Sequence, residues 1–344
     1  MPAKHRPTKS GKKSWKDVQS KLKRSRRTKL ALGVLGLVVG LLILSWVISF
    51  TQSLFTPWKT HTNIKRNYIW DTQFNINLLF RSKNISVVSL NPKQGRIVII
   101  NIPDEVFLEV PHGFNFWQLR AVYELGQSQK QVGGHKLLVD SLQVFLAIPI
   151  DGYLDFSAQK PAKSSLEVVE TLRKNPFSGF NLLSGLKTNL TMWEILRLKF
   201  SIAGIRFDKV KSISLDKFGV LENETLPDGT PVFTADPVKL DSVLSDLADP
   251  AITEEHKTIA VFNATDRPQL AQKAARLITN LGGNVIITAN AGERLKKTQV
   301  AGEKSATLKR LKQIFNLDDK ISSSSADTAS RAEVNLFLGE DFDK

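Results

Sequence analysis

The chain has 344 residues, 42% of them hydrophobic and 24% charged, and no cysteine, so it is long enough for two ordinary domains with buried cores. Disulfides, thiolate nucleophiles, zinc knuckles and iron-sulfur clusters are excluded at once. The net charge of +15 points to nucleic acid only until it is divided: residues 1–29 hold twelve Lys and Arg against Asp17 alone, residues 30–256 carry 22 basic and 22 acidic side chains, and residues 257–344 carry 14 and 10. The basicity belongs to a tail, no aromatic stacking series or zinc module accompanies it, and nucleic acid is not expected as a partner.

Residues 30–50 follow that tail without a single charge. As a helix rising ~1.5 Å per residue they would cross the ~30 Å hydrocarbon core of a bilayer. The stretch exceeds the roughly 7 to 15 apolar residues of a cleaved signal, and its exit reads Ser49-Phe50-Thr51-Gln52-Ser53-Leu54, so an uncleaved anchor is expected. Lys21, Lys23, Arg24, Arg26, Arg27 and Lys29 flank its amino side, against Lys59, Lys65 and Arg66 beyond it. The excess predicts residues 1–29 in the cytoplasm and residues 51–344 outside it, in a single-pass cell-membrane protein. Gly36 and Gly40 have the spacing of a helix-pairing motif, which a monomeric anchor explains equally well. Residues 51–74 read as a polar stalk, with Pro57, Trp58, Tyr68 and Trp70 near the membrane surface.

The first folded block is predicted over residues 75–250. Short β-rich runs at 75–80, 85–91 and 96–101 are followed by helical periods at 116–125 and 134–146 and by a strand at 152–156. The Asn91-Pro92-Lys93-Gln94-Gly95 piece has hairpin chemistry. Thr191 and Glu194 have the spacing of a capping box opening a helix toward Phe200. Alternation of strand and helix predicts an α/β sandwich with a mixed sheet. After the Pro-, Asp- and Glu-rich stretch 249–256, a second, small α/β domain is expected over 257–344: a strand at 258–263, a helix started by Asp266-Arg267-Pro268 and stopped at Gly282-Gly283, a strand at 284–288, a helix at 305–315, a Ser-rich loop at 322–325 and a last strand at 334–338.

These residues resemble a known family. Asn77-Leu78-Leu79, Val87 to Pro92, Ile102-Pro103 with Glu109-Val110-Pro111, and Gly133-Gly134 leading to Ile148-Pro149-Ile150-Asp151-Gly152-Tyr153 are similar in order and spacing to the LytR-CpsA-Psr domain, and Thr188 to Leu198 is similar to its distal helix. Ile259 to Thr265, Leu281-Gly282-Gly283 and Ala332 to Phe342 resemble the LytR carboxy-terminal domain. The resemblance implies a bacterial cell-envelope protein of the class that moves a glycopolymer from a polyprenyl pyrophosphate carrier to peptidoglycan, with arginines and a carboxylate-held divalent metal at the phosphates. The chain departs from that pattern. Asp104 and Glu105 stand where the family has an Arg-Asp pair, Lys83 stands where it has an aspartate, with Arg81 nearby, and the segment 156–175 is too short for a further family strand and its late arginine.

Two functions follow. The first is a noncatalytic, anchored binder of wall glycan, lipid-linked polymer or envelope proteins, with no cofactor or metal. The second is a divergent phosphotransferase in which Arg81 and Lys83 bind phosphate while Asp104 and Glu105 hold Mg or Mn. The five histidines, His112 and His135 among them, have no metal-ligand spacing and read as loop and helix-start residues. A nucleophile elbow and a phosphate loop are both missing from the sequence.

Overall fold

A computed structural model describes residues 15–56, 64, 66–129, 131–174, 185–317 and 330–342. The first fourteen tail residues, the side chains of Lys21 to Arg27, the 57–59 piece, Lys65 and the 322–325 loop lie outside them. Contacts divide the chain into Met1–Thr56 and Pro57–Lys344.

The first unit is helix α1, Trp15–Phe55. Within it the 24 residues Leu32–Phe55 form a stretch long and apolar enough to cross a membrane. This stretch ends five residues beyond the 30–50 span expected. Thr51, Ser53 and Thr56 return their hydroxyls to the carbonyls of Ile48, Phe50 and Ser53, so the polar groups cost the helix little.

The second unit is built on strands β1 (Ile76–Arg81), β2 (Ile85–Asn91) and β3 (Arg96–Ile102), an antiparallel ladder. It continues through a hairpin of β4 (Phe107–Val110) and β5 (Asn115–Gln118), helices α2 (Leu119–Ser128) and α3 (Gly134–Leu146), and strand β6 (Gly152–Asp155). Helix α4 (Ser165–Lys174), strand β7 (Lys187–Thr188), helix α5 (Met192–Ala203) and strand β8 (Val210–Ser214) follow. The six strands order as β7-β6-β1-β2-β3-β8, with β6 parallel to β1 and β8 parallel to β3. The central strands read as continuous apolar runs because both faces are covered. Leu79, Val87, Val98 and Ile100 pack against Leu119, Leu138 and Leu142 of α2 and α3. The alternate residues Leu78, Phe80, Val88, Ile97 and Ile99 pack against Val168 of α4 and Ile195 and Leu198 of α5. The expected capping box is present, Thr191 and Glu194 exchanging side-chain and backbone bonds at the start of α5.

A second hairpin, β9 (Leu221–Thr225) with β10 (Pro231–Ala235), leads through α6 (Pro237–Leu244) to α7 (Pro250–Thr253). The last elements are β11 (Thr258–Asn263), α8 (Leu270–Asn280), β12 (Asn284–Asn290), β13 (Gln299–Gly302), α9 (Ala306–Ile314) and β14 (Val334–Leu338). Their four-stranded sheet has the order β12-β11-β14-β13, and its apolar face packs Ile259, Val261 and Leu336 against Leu277 and Leu311. The fold is thus α/β with mixed sheets, as expected.

Three readings are corrected. The helix expected at 116–125 begins only at Leu119, because Phe116 and Trp117 pair with Glu109 and Leu108 in the hairpin. Asp266-Arg267-Pro268 does not start α8: the Asn263 side chain donates to the Arg267 carbonyl and accepts from Thr265, holding a turn until Gln269, which is left-handed. The end of the expected stalk is part of the fold, since Trp70 is only 2% exposed and its indole donates to the Phe74 carbonyl. The stretch 249–256 is buried in its first half: Asp249 is fully buried, accepts from the Asn75 backbone and caps α7, whose Ile252 lies in the core of the following sheet, while Glu254 and His256 are exposed.

Candidate functional site

Parallel pairing of β1 with β6 sets Arg81 opposite Asp155 at the carboxyl end of both strands, where open α/β sheets place their sites. Arg81 Nη1 donates to Asp155 Oδ2 at 3.0 Å and to Ser157 Oγ at 2.8 Å. The guanidinium also lies 3.6 Å from the ring centroid of Tyr123 on α2, a cation–π contact. His135, the second residue of α3, brings Nε2 to 2.8 Å from the same Asp155 oxygen and is held between Tyr123, edge-on, and Tyr153, stacked at 4.2 Å. Asp155 is 1% exposed. Burial pushes its carboxyl up, but the bonds from His135 and Ser157 and the charge of Arg81 outweigh burial and hold it well below the usual carboxylate range.

The close approach of α2 and α3 that delivers Tyr123 and His135 depends on two glycines. A Cβ on Gly134 would stand 2.6 Å from the Tyr123 carbonyl oxygen, and one on Gly126 would stand 2.8 Å from Gly134 Cα.

Of the four residues singled out in the sequence, Arg81 is the one built into this cluster. Lys83 is exposed in the β1–β2 turn, and Asp104 and Glu105 are exposed in the turn after β3. Register aligns Arg81 with Ile85 and Ile85 with Ile102, so all four residues emerge at one end of the sheet. Among the described residues, however, no ion pair joins Arg81 or Lys83 to Asp104 or Glu105. Partial burial and the neighbouring charge of Glu105 push the Asp104 carboxyl up, against the opposing pull of Arg120. A divalent ion of the kind the resemblance implies would find two adjacent carboxylates there; no group of three or more His, Asp or Glu able to hold one occurs among the described residues. One or two carboxylates completed by water suffice for Mg, so Asp104 and Glu105 are the residues that would hold such an ion. His112 and His135 sit in a turn and at a helix start, as read, and His112 Nε2 bonds Asp140 at 2.8 Å. Sequence reasoning missed Asp155, Tyr123, Tyr153 and Ser157. Tyr153 ends the Ile148 to Tyr153 motif but was given no role there, and no local motif marks Asp155, Ser157 or Tyr123, because they meet only through the β1–β6 pairing and the close approach of α2 to α3.

A groove of about 470 Å³ lies on the outer side of α3, walled by Phe107, Phe116, Phe145, Leu240, Leu277 and Phe342. Ion pairs stand at its rim, Lys273 to Glu109 at 2.8 Å and Arg276 to Asp241 at 2.7 Å. Its size is that of a small-molecule site, its lining that of one for an apolar chain.

Residues 257–342 match the family model described as LytR cell envelope-related transcriptional attenuator, which bears out the resemblance read for the carboxy-terminal block. Among functionally curated proteins there is no significant sequence match. Solved structures with a likeness include TagV of B. subtilis (16% identity over 52% of this chain and 97% of that one, TM-score 0.40). A LytR-CPS2A-psr family protein, YwtF (TagT), solved with bound octaprenyl pyrophosphate lipid, is 17% identical over 56% of this chain and 97% of its own, with a TM-score of 0.36. Protein gbs0355 of Streptococcus agalactiae is 14% identical over 53% and 90%, with a TM-score of 0.40.

Proposed function

We propose that this chain, whose residues 257–342 match the LytR carboxy-terminal family, is a membrane-anchored cell-envelope protein of the LytR-CpsA-Psr type that binds wall glycan, lipid-linked polymer or envelope proteins without transferring a polymer. The observation that carries the reading is the state of Arg81. A guanidinium aimed at a pyrophosphate must be free to meet it, and this one is bonded to Asp155 and Ser157 and lies against Tyr123. Asp104 adds a like charge where the resemblance calls for a cation. At ~4 Å such repulsion is worth about 1 kcal/mol in water and about 4 kcal/mol at an effective dielectric constant of ~20, the latter about three decades in affinity or rate. The tail charge supports a cytoplasmic amino terminus, with residues 51–344 outside.

The expected outcome with a polyprenyl pyrophosphate glycan donor and Mg or Mn is no transfer, while Asp104→Arg combined with Lys83→Asp improves binding of the pyrophosphate lipid. Transfer by the unmodified chain that Asp104→Ala abolishes would replace this reading with the divergent phosphotransferase, which the shared sheet end of the four residues allows. Orientation is checked separately: protease added to spheroplasts should degrade the carboxy-terminal unit and spare residues 1–50, and a protected carboxy terminus refutes it.

A further inference from the structure

We propose that the surface formed by the end of α5, the turn after it and the end of α4 is a contact face for an anionic lipid surface. Phe200 and Phe207 are 59% and 61% exposed there, far more than a phenylalanine in a folded unit normally is. Cations flank Phe207. Arg206 is 81% exposed, Lys174 is 70% exposed, Lys209 is exposed and makes no ion pair among the described residues, and the Arg173 guanidinium lies 5.4 Å from the Phe207 ring centroid. Glu170 and Asp208 partly offset them, at 4.0 Å from Lys174 and 3.0 Å from Arg206, leaving an excess of positive charge.

Exposed aromatic rings able to sit at headgroup level, with Lys and Arg beside Phe207 in excess over acidic groups, match an interfacial surface in charge and polarity. A protein partner would be expected to meet a pocket or groove at its aromatic anchors; among the described residues, Phe200 and Phe207 are not part of the apolar groove beside α3.

The proposal rests on α1 being an anchor, and the test separates the two. The chain has no cysteine, so single-cysteine variants take a fluorescent label at one site. The full chain is reconstituted in phosphatidylcholine vesicles with and without phosphatidylglycerol, and quenching by headgroup-labelled and chain-labelled lipid is read at Ser45→Cys in α1, Phe200→Cys, Phe207→Cys and, as a control on an exposed strand, Ile286→Cys. The result expected is deep quenching at 45, shallow quenching at 200 and 207 only with the anionic lipid, and none at 286. Arg206→Glu with Lys209→Glu, each lost positive charge weakening the contact about fivefold, should return 207 to its value in neutral vesicles. Unquenched labels at 200 and 207 overturn the contact face even where 45 is quenched. Quenching at 200 and 207 with none at 45 supports the face and refutes the anchor.

Discussion

Asp155 is the residue on which the site cluster turns, because its two oxygens satisfy Arg81, His135 and the Ser157 backbone from three separate segments. Its folded-state affinity for a proton is depressed below that of a free aspartate. A group depressed in this sense contributes stability above its unfolded value, about pH 4, and loses it as pH falls through the lower folded value. Asp155→Asn is therefore expected to destabilise the protein by about 2 kcal/mol at pH 7, and the difference from the unmodified protein should shrink as pH falls below about 4. Urea unfolding at pH 7 and at pH 3.5 checks both parts. Equal losses at the two pH values would mean that packing, not charge, is what the carboxylate supplies. The same substitution frees Arg81 from its ion pair, so stronger binding of a pyrophosphate lipid by the Asn variant would directly support the reading that Asp155 keeps Arg81 occupied.

At the scale of elements, the α2–α3 pair shows why some of the fold was legible and some was not. Gly133-Gly134 announced the start of α3, and the glycine is required there by the backbone of α2 rather than by its own dihedral angles. Alanine at 134 gains about 1 kcal/mol of helix propensity over glycine, but its Cβ meets a carbonyl oxygen that cannot move without α2. Gly134→Ala should accordingly cost roughly 1–3 kcal/mol. Gly204→Ala, at the end of α5 with nothing within 4 Å, should stay within about ±0.5 kcal/mol. Thermal unfolding of the two variants distinguishes a packing requirement from a general intolerance of alanine. The strands β1 to β3 were readable because continuous apolar runs between turn residues have few other fates. Phe116, Leu119, Val122 and Leu125 do follow a helical spacing, yet β4 claims the first of them through cross-strand pairing, a nonlocal choice that local periodicity does not contain. The strand ends bearing Arg81 could be found, whereas its partner Asp155 is 74 positions away along the chain and is fixed only by register. Residues 201–249, with β8 to β10 and α6, carry short, half-exposed strands whose patterns are too weak to read alone.

Across the whole Pro57–Lys344 unit, the carboxy-terminal sheet and the six-stranded sheet are joined by charge that has been taken out of water. Arg310 of α9 is fully buried, pairs with Asp151 at 3.0 Å and donates to the Asn75 carbonyl at the start of β1. Asp151 also accepts from the Asn77 backbone and from the Tyr68 hydroxyl. Burial and the adjacent Asp151 charge push the Tyr68 hydroxyl far above its ordinary value, so it stays protonated and donating throughout the neutral range. One guanidinium thus holds the starts of β1 and β6, the same two strands that carry Arg81 and Asp155 at their other ends. Removing one member of a buried pair strands the other as an uncompensated charge, which typically costs about 3–5 kcal/mol, whereas replacing both by groups of similar volume is often close to neutral. Arg310→Met should therefore destabilise the full chain by an amount in that range, and Arg310→Met with Asp151→Asn should recover most of it. Denaturant titration of the two variants decides the matter. If Arg310→Met costs less than about 1 kcal/mol, or the double variant is no better than the single one, then the two sheets are held together by apolar packing, and Arg310 is a tolerated guest in that interface rather than its fastening.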